Sequence, residues 1–254
     1  MKNKSVSFII ILSIIILGGC KKDNQEAPNA IITGKVVYNG QPVGLRSNGV
    51  QLELWQNGYD LFTKIPVYIN QDGTFSAAVF NGNYKLTRLK GNGPWADITD
   101  TIPVQVNGTI SVDVPVTPFF TISNETFSFN ASDTTIGTTF NVSQVVTGKN
   151  IEKISLCIGL TQFVDITSNQ IPFAPASVND FNPPANINQP ISYSISLNPN
   201  RYPDLPSPQN LNRAELRRQL GIALSTKYGF LRVGLKTVGV SERIYTAVKK
   251  IDLK

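Results

Sequence analysis

The sequence predicts an all-β protein made of two β-sandwich domains, with one short helix near residues 212–225. Three observations carry this reading. Short segments of alternating apolar and polar residues recur along the chain, the pattern of strands with one buried face. Turn signals separate them, drawn from 19 Gly and 16 Pro and from neighbouring Asn and Asp. Beyond residue 30, one stretch alone carries an apolar stripe at helical spacing.

The N-terminus is a separate matter. Lys2 and Lys4 precede an apolar run from Val6 to Leu17, shorter than the ~20 residues a spanning helix needs. The run ends in small residues, as a cleavage site does. Leu17-Gly18-Gly19-Cys20 resembles the lipobox of bacterial lipoproteins. The resemblance implies a signal peptide over 1–19 and a lipid-bearing Cys20 as first mature residue. Two or more acyl chains anchor stably, since burial contributes roughly 0.8 kcal/mol per methylene. Residues 20–30 then form a lipidated, polar, flexible tether. No Asp follows Cys20, and Lys21-Lys22-Asp23-Asn24-Gln25-Glu26 resembles the charged export tag of Bacteroidota surface lipoproteins. The implied address is the outer membrane, lipid-anchored and exposed at the cell surface.

Residues 31–117 read as the first β-sandwich. Ile32 to Tyr38 is a strand, closed by the turn signal Asn39-Gly40-Gln41-Pro42. Val50, Leu52 and Leu54 alternate with Gln51, Glu53 and Trp55 in a half-buried strand. Asn70-Gln71-Asp72-Gly73 is a second turn. Phe75–Phe80 and Tyr84–Leu89 are expected to pair across Asn81-Gly82-Asn83. Pro103–Val106 and Ile110–Val116 are expected to pair across Asn107-Gly108. The order Gly34-Lys35-Val36-Val37, Gln71-Asp72-Gly73-Thr74-Phe75, Phe80-Asn81-Gly82-Asn83-Tyr84-Lys85-Leu86 is similar to carboxypeptidase regulatory-like (transthyretin-like) domains. That likeness implies an inward-packed Tyr84.

Val116-Thr117-Pro118 looks like an interdomain hinge, and 118–254 reads as the second sandwich. Strands are expected near 138–146, 151–160, 191–197, 229–238 and 245–253. Their number and spacing resemble immunoglobulin- or fibronectin-type sandwiches. Nine prolines between Pro172 and Pro208 mark a loop-rich excursion. In the expected helix, Asn212 caps, Glu215 suits the dipole at the third helical position, and Leu216, Leu220, Ala223 and Leu224 make one stripe. Arg213 and Arg217 lie on another face, either solvated or touching headgroups or a partner.

Composition excludes several function classes. The chain has no histidine, which removes the commonest general base and metal ligand and every Ser-His or Cys-His pair. Once Cys20 is lipidated, Cys157 has no disulfide partner, and its apolar run marks a buried thiol. The net charge of +6 includes the two leader lysines and is spread without a basic run, so nucleic acid is not an expected partner. Asn70-x-Asp72-Gly73 is half a calcium loop without its later ligands, and Gly91-x-Gly93-Pro94 lacks a dinucleotide fingerprint. No cofactor or metal is expected.

The aromatics are the candidate ligand-binding residues. A sugar's C–H face stacks on an aromatic plane while its hydroxyls take amide and carboxylate partners. Trp55 has the outward parity of its strand. Tyr59 follows in the Asn57-Gly58-Tyr59 turn, and Trp95 sits in a Gly-Pro loop beside Asp97 and Asp100. Together they form either a platform with a polar grip or structural cover, Trp55 over a sheet edge and Trp95 in the interdomain seam. Asp97 and Asp100 could also be the paired carboxylates of a glycosidase, at a separation of about 5–9.5 Å. Asp100-Thr101-Ile102 and Asp133-Thr134-Thr135 are similar to the Bacteroidota O-glycosylation motif.

The mature chain as a whole resembles a family of Bacteroidota lipoproteins known as domain of unknown function 3823. Gln71-Asp72-Gly73-Thr74-Phe75-Ser76-Ala77, Tyr84-Lys85-Leu86-Thr87, Gly91-Asn92-Gly93-Pro94-Trp95 and Val114-Pro115-Val116-Thr117-Pro118-Phe119 carry the match. The resemblance implies a place beside SusC-like and SusD-like glycan-uptake proteins and supplies no catalytic residues. The expected function is a non-catalytic surface lipoprotein that binds polysaccharide for a SusC/SusD-like system. The alternatives are a spacer or scaffold of that complex without glycan affinity and, third, a carboxylate enzyme.

Overall fold

The computed structural model describes residues 26–58, 63–167, 180–198 and 225–254, and these are all-β apart from a helical turn at Ser225–Thr226. The leader, Cys20, Tyr59 and the helix expected over 212–225, save its last residue, lie outside them, as does much of the proline-rich excursion.

The first domain is two sheets face to face. In one, β1 (Ala30–Tyr38) carries β2 (Gln41–Pro42) and β5 (Thr74–Val79) antiparallel, and β8 (Thr109–Ser111) and β9 (Val114–Pro115) parallel. The other is antiparallel, in the order β4 (Lys64–Tyr68), β3 (Gln51–Gln56), β6 (Gly82–Arg88), β7 (Ile102–Val106). Alternation chooses the faces: Leu52, Leu54, Leu86 and Val104 point inward, at most 4% exposed. Asn39 and Gly40 both take positive φ in the two-residue loop between β1 and β2, as a hairpin that matches strand twist requires. Gly73 closes the Asn70–Gly73 turn at φ +81°, a backbone state that L side chains rarely adopt.

Two expected hairpins do not form. β5 pairs with β1 while β6 pairs with β3 and β7, so Asn81-Gly82-Asn83 crosses between sheets. Likewise β7 pairs with β6 and β8 with β1, and Asn107-Gly108 is a second crossing. Both crossings are tied together, Gly108 donating its N–H to Asn81 Oδ1 at 2.8 Å.

In the second domain, β10 (Phe120–Asn130), β11 (Thr135–Gln144) and β14 (Ile191–Ser196) form one sheet. The other runs β13 (Asp180–Phe181), β12 (Ile151–Gly159), β15 (Tyr228–Thr237), with β16 (Arg243–Tyr245) and β17 (Lys249–Asp252) also on β15.

The domains share a core. One continuous buried cluster runs from Ala30, Ile32 and Leu54 through Trp95, Phe119 and Phe120 to Val233 and Leu235. The link read as a hinge is held on both sides: Val116 donates to the Val37 carbonyl and Ala96 to that of Thr117, both at 2.9 Å. Gly44 bridges to Tyr245, and a Cβ there would fall on the Tyr245 carbonyl oxygen, so the close approach requires glycine. The Arg46 guanidinium grips Glu242 in a two-pronged ion pair of 2.6 and 3.1 Å. Arg232, fully buried, reaches across with N–H bonds to the carbonyls of Leu45 (2.9 Å) and Gln71 (3.3 Å) as well as to Thr246 and Val164.

Candidate functional site

The outer face of the β4–β3–β6–β7 sheet carries the site. Because β3 buries Leu52 and Leu54, Trp55 turns outward, half-buried. The register then sets its neighbours. Lys64 of β4 and Lys85 of β6 stand directly opposite Trp55, and Pro103 follows Lys85 on β7. Asn83 and Gln105 form the next row. Gln56, Asn57 and Gly58 close one end of an open depression of about 920 Å³, which Trp55, Asn83, Lys85 and Gln105 also line. The arrangement offers one indole plane, several amides and an ammonium, the donors and acceptors that polyhydroxylated ligands need.

Charge on this face is unevenly paired. Lys64 Nζ lies 2.5 Å from Glu53 Oε1, and that carboxylate is largely buried. Lys85 is exposed, and its ammonium makes no hydrogen bond or ion pair among the described residues. Beneath the depression Tyr84 packs inward, 3% exposed, and donates its hydroxyl to the Phe80 carbonyl at 2.9 Å. That is the inward tyrosine the carboxypeptidase regulatory-like resemblance implies.

The other candidates lie elsewhere. Trp95 is 4% exposed in the common core and bridges Pro118, so it offers no face to a ligand. Of the two readings of Trp95, the structure therefore removes the two-tryptophan platform and leaves the structural one: the indole fills the seam between the domains. Asp97 accepts the Gly91 N–H at 2.7 Å, and Asp100 accepts from Arg88 at 2.7 Å while the Arg88 guanidinium also holds the Pro115 carbonyl. Both carboxylates shape the 89–101 loop, and neither lines the Trp55 depression. Tyr59 and Cys20 lie outside the described residues.

Sequence reasoning missed Asn83, Lys85 and Gln105. Their signal was present in the parity of β6 and β7, where Tyr84, Leu86, Val104 and Val106 face in. Reading those strands as partners of β5 and β8 hid it. Elsewhere, no group of three or more metal-ligating side chains gathers among the described residues. Cys157 is a free, buried thiol, and burial pushes its pKa up to about 12. Ser155, Asp180 and Arg243 form a tight hydrogen-bonded cluster that ties β12, β13 and β16 together.

Comparison with known proteins places the chain. Residues 30–117 match the N-terminal domain of the protein of unknown function DUF3823, and residues 120–250 match the domain DUF3823_C. The fold is similar to the crystal structure of a DUF3823 family protein from Bacteroides ovatus, with 32% identity, a TM-score of 0.70 and coverage of 89% of this chain and 100% of that one. A DUF3823 family protein from Parabacteroides merdae is 29% identical at a TM-score of 0.71 with the same coverage. A "putative carbohydrate binding protein" from Bacteroides uniformis shares the fold at 19% identity and a TM-score of 0.67, again over 89% of this chain and 100% of that one. No curated protein matches the chain. With both of its domains matched in order, the chain belongs to the DUF3823 family.

Proposed function

We propose that this protein is a non-catalytic carbohydrate-binding lipoprotein, anchored through Cys20 in the outer membrane and serving a SusC/SusD-like polysaccharide uptake system. The observation that carries the binding role is the Trp55 depression: an aromatic plane on an open sheet face, rimmed by amides and wide enough for several sugar rings. The Bacteroides uniformis protein of the same fold, called a "putative carbohydrate binding protein", supports the same reading. Leu17-Gly18-Gly19-Cys20 supports the anchor, and its test is acyl-chain labelling that disappears in Cys20→Ser.

Stacking on Trp55 should dominate affinity, as buried aromatic anchors do elsewhere. Trp55→Ala is expected to weaken glycan binding by about 2 kcal/mol, roughly thirtyfold in Kd. Isothermal titration with a panel of soluble polysaccharides is the test. Unchanged affinity in Trp55→Ala for every glycan bound, or no binding to any, refutes the reading.

A second reading, a spacer without glycan affinity, draws on the seam, where Arg232, the Arg46–Glu242 pair and Trp95 join the domains firmly. It predicts co-purification with the uptake pair from mildly solubilised membranes and no glycan binding.

A further inference from the structure

We infer that the ligand of the Trp55 face is an acidic polysaccharide, one whose sugars carry carboxylate or sulfate groups; this rests on the glycan-binding role proposed above. The argument is one of charge placement. The described lining of the depression contains a single ionisable group besides the inward-facing Tyr84, and that group is Lys85. No Asp or Glu is among its described lining residues. Among the described residues, the nearest acid on the same sheet face, Glu53, is one row away and engaged by Lys64 at 2.5 Å.

Position matters as much as sign. Lys85 is the cross-strand partner of Trp55, and opposite side chains on one face have Cβ atoms about 4.5–5.5 Å apart. A ring stacked on the indole therefore carries its substituents past the ammonium. An ammonium is a strongly hydrated donor with no acceptor capacity. Neutral sugars give it no charge to meet, whereas a uronate or sulfate oxygen completes a charge-assisted bond. On the far side of Trp55, Lys64 stands in the same row with its charge already matched by Glu53. Asn83 and Gln105 remain for the hydroxyls.

The test is isothermal titration of the purified protein with polygalacturonate, its fully methyl-esterified form, a sulfated polysaccharide and the same chain desulfated. Parent protein, Trp55→Ala, Lys85→Gln and Lys85→Arg are compared. Lys85 is exposed, so its variants are expected to unfold like the parent. The inference expects an acidic polymer to bind at least tenfold more tightly than its neutral counterpart. Lys85→Gln should weaken that binding about fivefold to tenfold, between the worth of an exposed ion pair and that of a charged hydrogen bond, and Lys85→Arg should restore most of it. Preference between polygalacturonate and the sulfated chain names the acidic group. Trp55-dependent binding that is equal for acidic and neutral polymers, or indifferent to Lys85→Gln, overturns the charge inference and leaves the binding role standing. Absence of any Trp55-dependent binding overturns both.

Discussion

Replacing Arg232 by methionine removes a guanidinium that is wholly buried and bonded to four backbone carbonyls. Two acceptors, Leu45 and Gln71, belong to the first domain; Val164 and Thr246 belong to the second. The guanidinium also lies 4.4 Å from the Tyr245 ring centroid. Desolvation lowers the Arg232 pKa, opposed by the charges of its surroundings, yet an arginine remains charged. The two short bonds, to Leu45 and Thr246, are each of the kind worth about 1.5–3 kcal/mol. The longer pair adds less, and removing a buried charge returns part of its desolvation cost. The net loss is about 3 kcal/mol, or about 6–12 °C in Tm for a chain of this size. The loss falls on the seam, so the form of unfolding should change as well. Urea denaturation followed separately by tryptophan fluorescence and by amide exchange in β15 is expected to give one transition in the parent and two in Arg232→Met. A single transition, displaced by less than 1 kcal/mol, would show that the guanidinium does not couple the domains.

Three further outcomes follow from the same contacts. Gly44→Val should cost about 1–3 kcal/mol by forcing the backbone off Tyr245, read as earlier unfolding in the same assay. Trp95→Ala should cost about 3–5 kcal/mol as a core cavity while glycan affinity of the folded protein stays unchanged, the reverse of Trp55→Ala. The Cys157 thiol should resist alkylation in the native state at pH 8. Its folded pKa lies above the ordinary thiol value of 9.0, so its contribution is intact below pH 9. Between pH 9 and about 12 the unfolded state releases the proton and the folded state keeps it. Stability then falls with rising pH by up to about 1.4 kcal/mol per unit, a slope that Cys157→Ala should flatten.

The faces of the strands were legible in the sequence, and their partners were not. Alternation at Leu52, Leu54 and Trp55 placed Trp55 outward correctly, because a period of two depends only on which side is buried. Asn81-Gly82-Asn83 signals a chain reversal, but a reversal within one sheet and a crossing between two sheets use the same residues. β4 went unseen because Pro66 argues against a strand, although an edge position tolerates it. β10 went unseen because its outward residues are Ser, Thr and Asn and its register shifts between Ser123 and Thr126. Trp95 sits in a Gly-Pro loop, which ordinarily means surface; its burial depends on Pro118 and the second domain, contacts that no local pattern encodes. Arg232 was unremarkable for a similar reason. A lone arginine in a strand reads as solvent-facing until another domain covers that face.

The register also orders the molecule along its length, with a consequence for the proposed membrane-anchored form. Ala30 pairs with Val79, and Ile31 donates to the Gly108 carbonyl, so the chain enters the first domain at the pole formed by the two sheet crossings. Gly58, Gly82 and Val106 lie at that same pole, and the Trp55 depression opens beside them. The seam, with Gly44, Arg46 and Gln71, occupies the opposite pole. From Cys20 to Ala30 the chain spans at most about 35 Å even fully extended. If Cys20 carries the proposed anchor, the Trp55 face would be the part nearest the membrane, with the second domain beyond it. In that anchored form, long polymers would have to reach a groove beside the bilayer, and the length of residues 21–29 would set how much room they have. Deleting residues 21–27 should reduce capture of a high-molecular-weight polysaccharide on lipid vesicles severalfold. It should leave short oligosaccharides, and the detergent-solubilised protein, unaffected. Equal capture by the two vesicle-bound forms would place the groove away from the membrane.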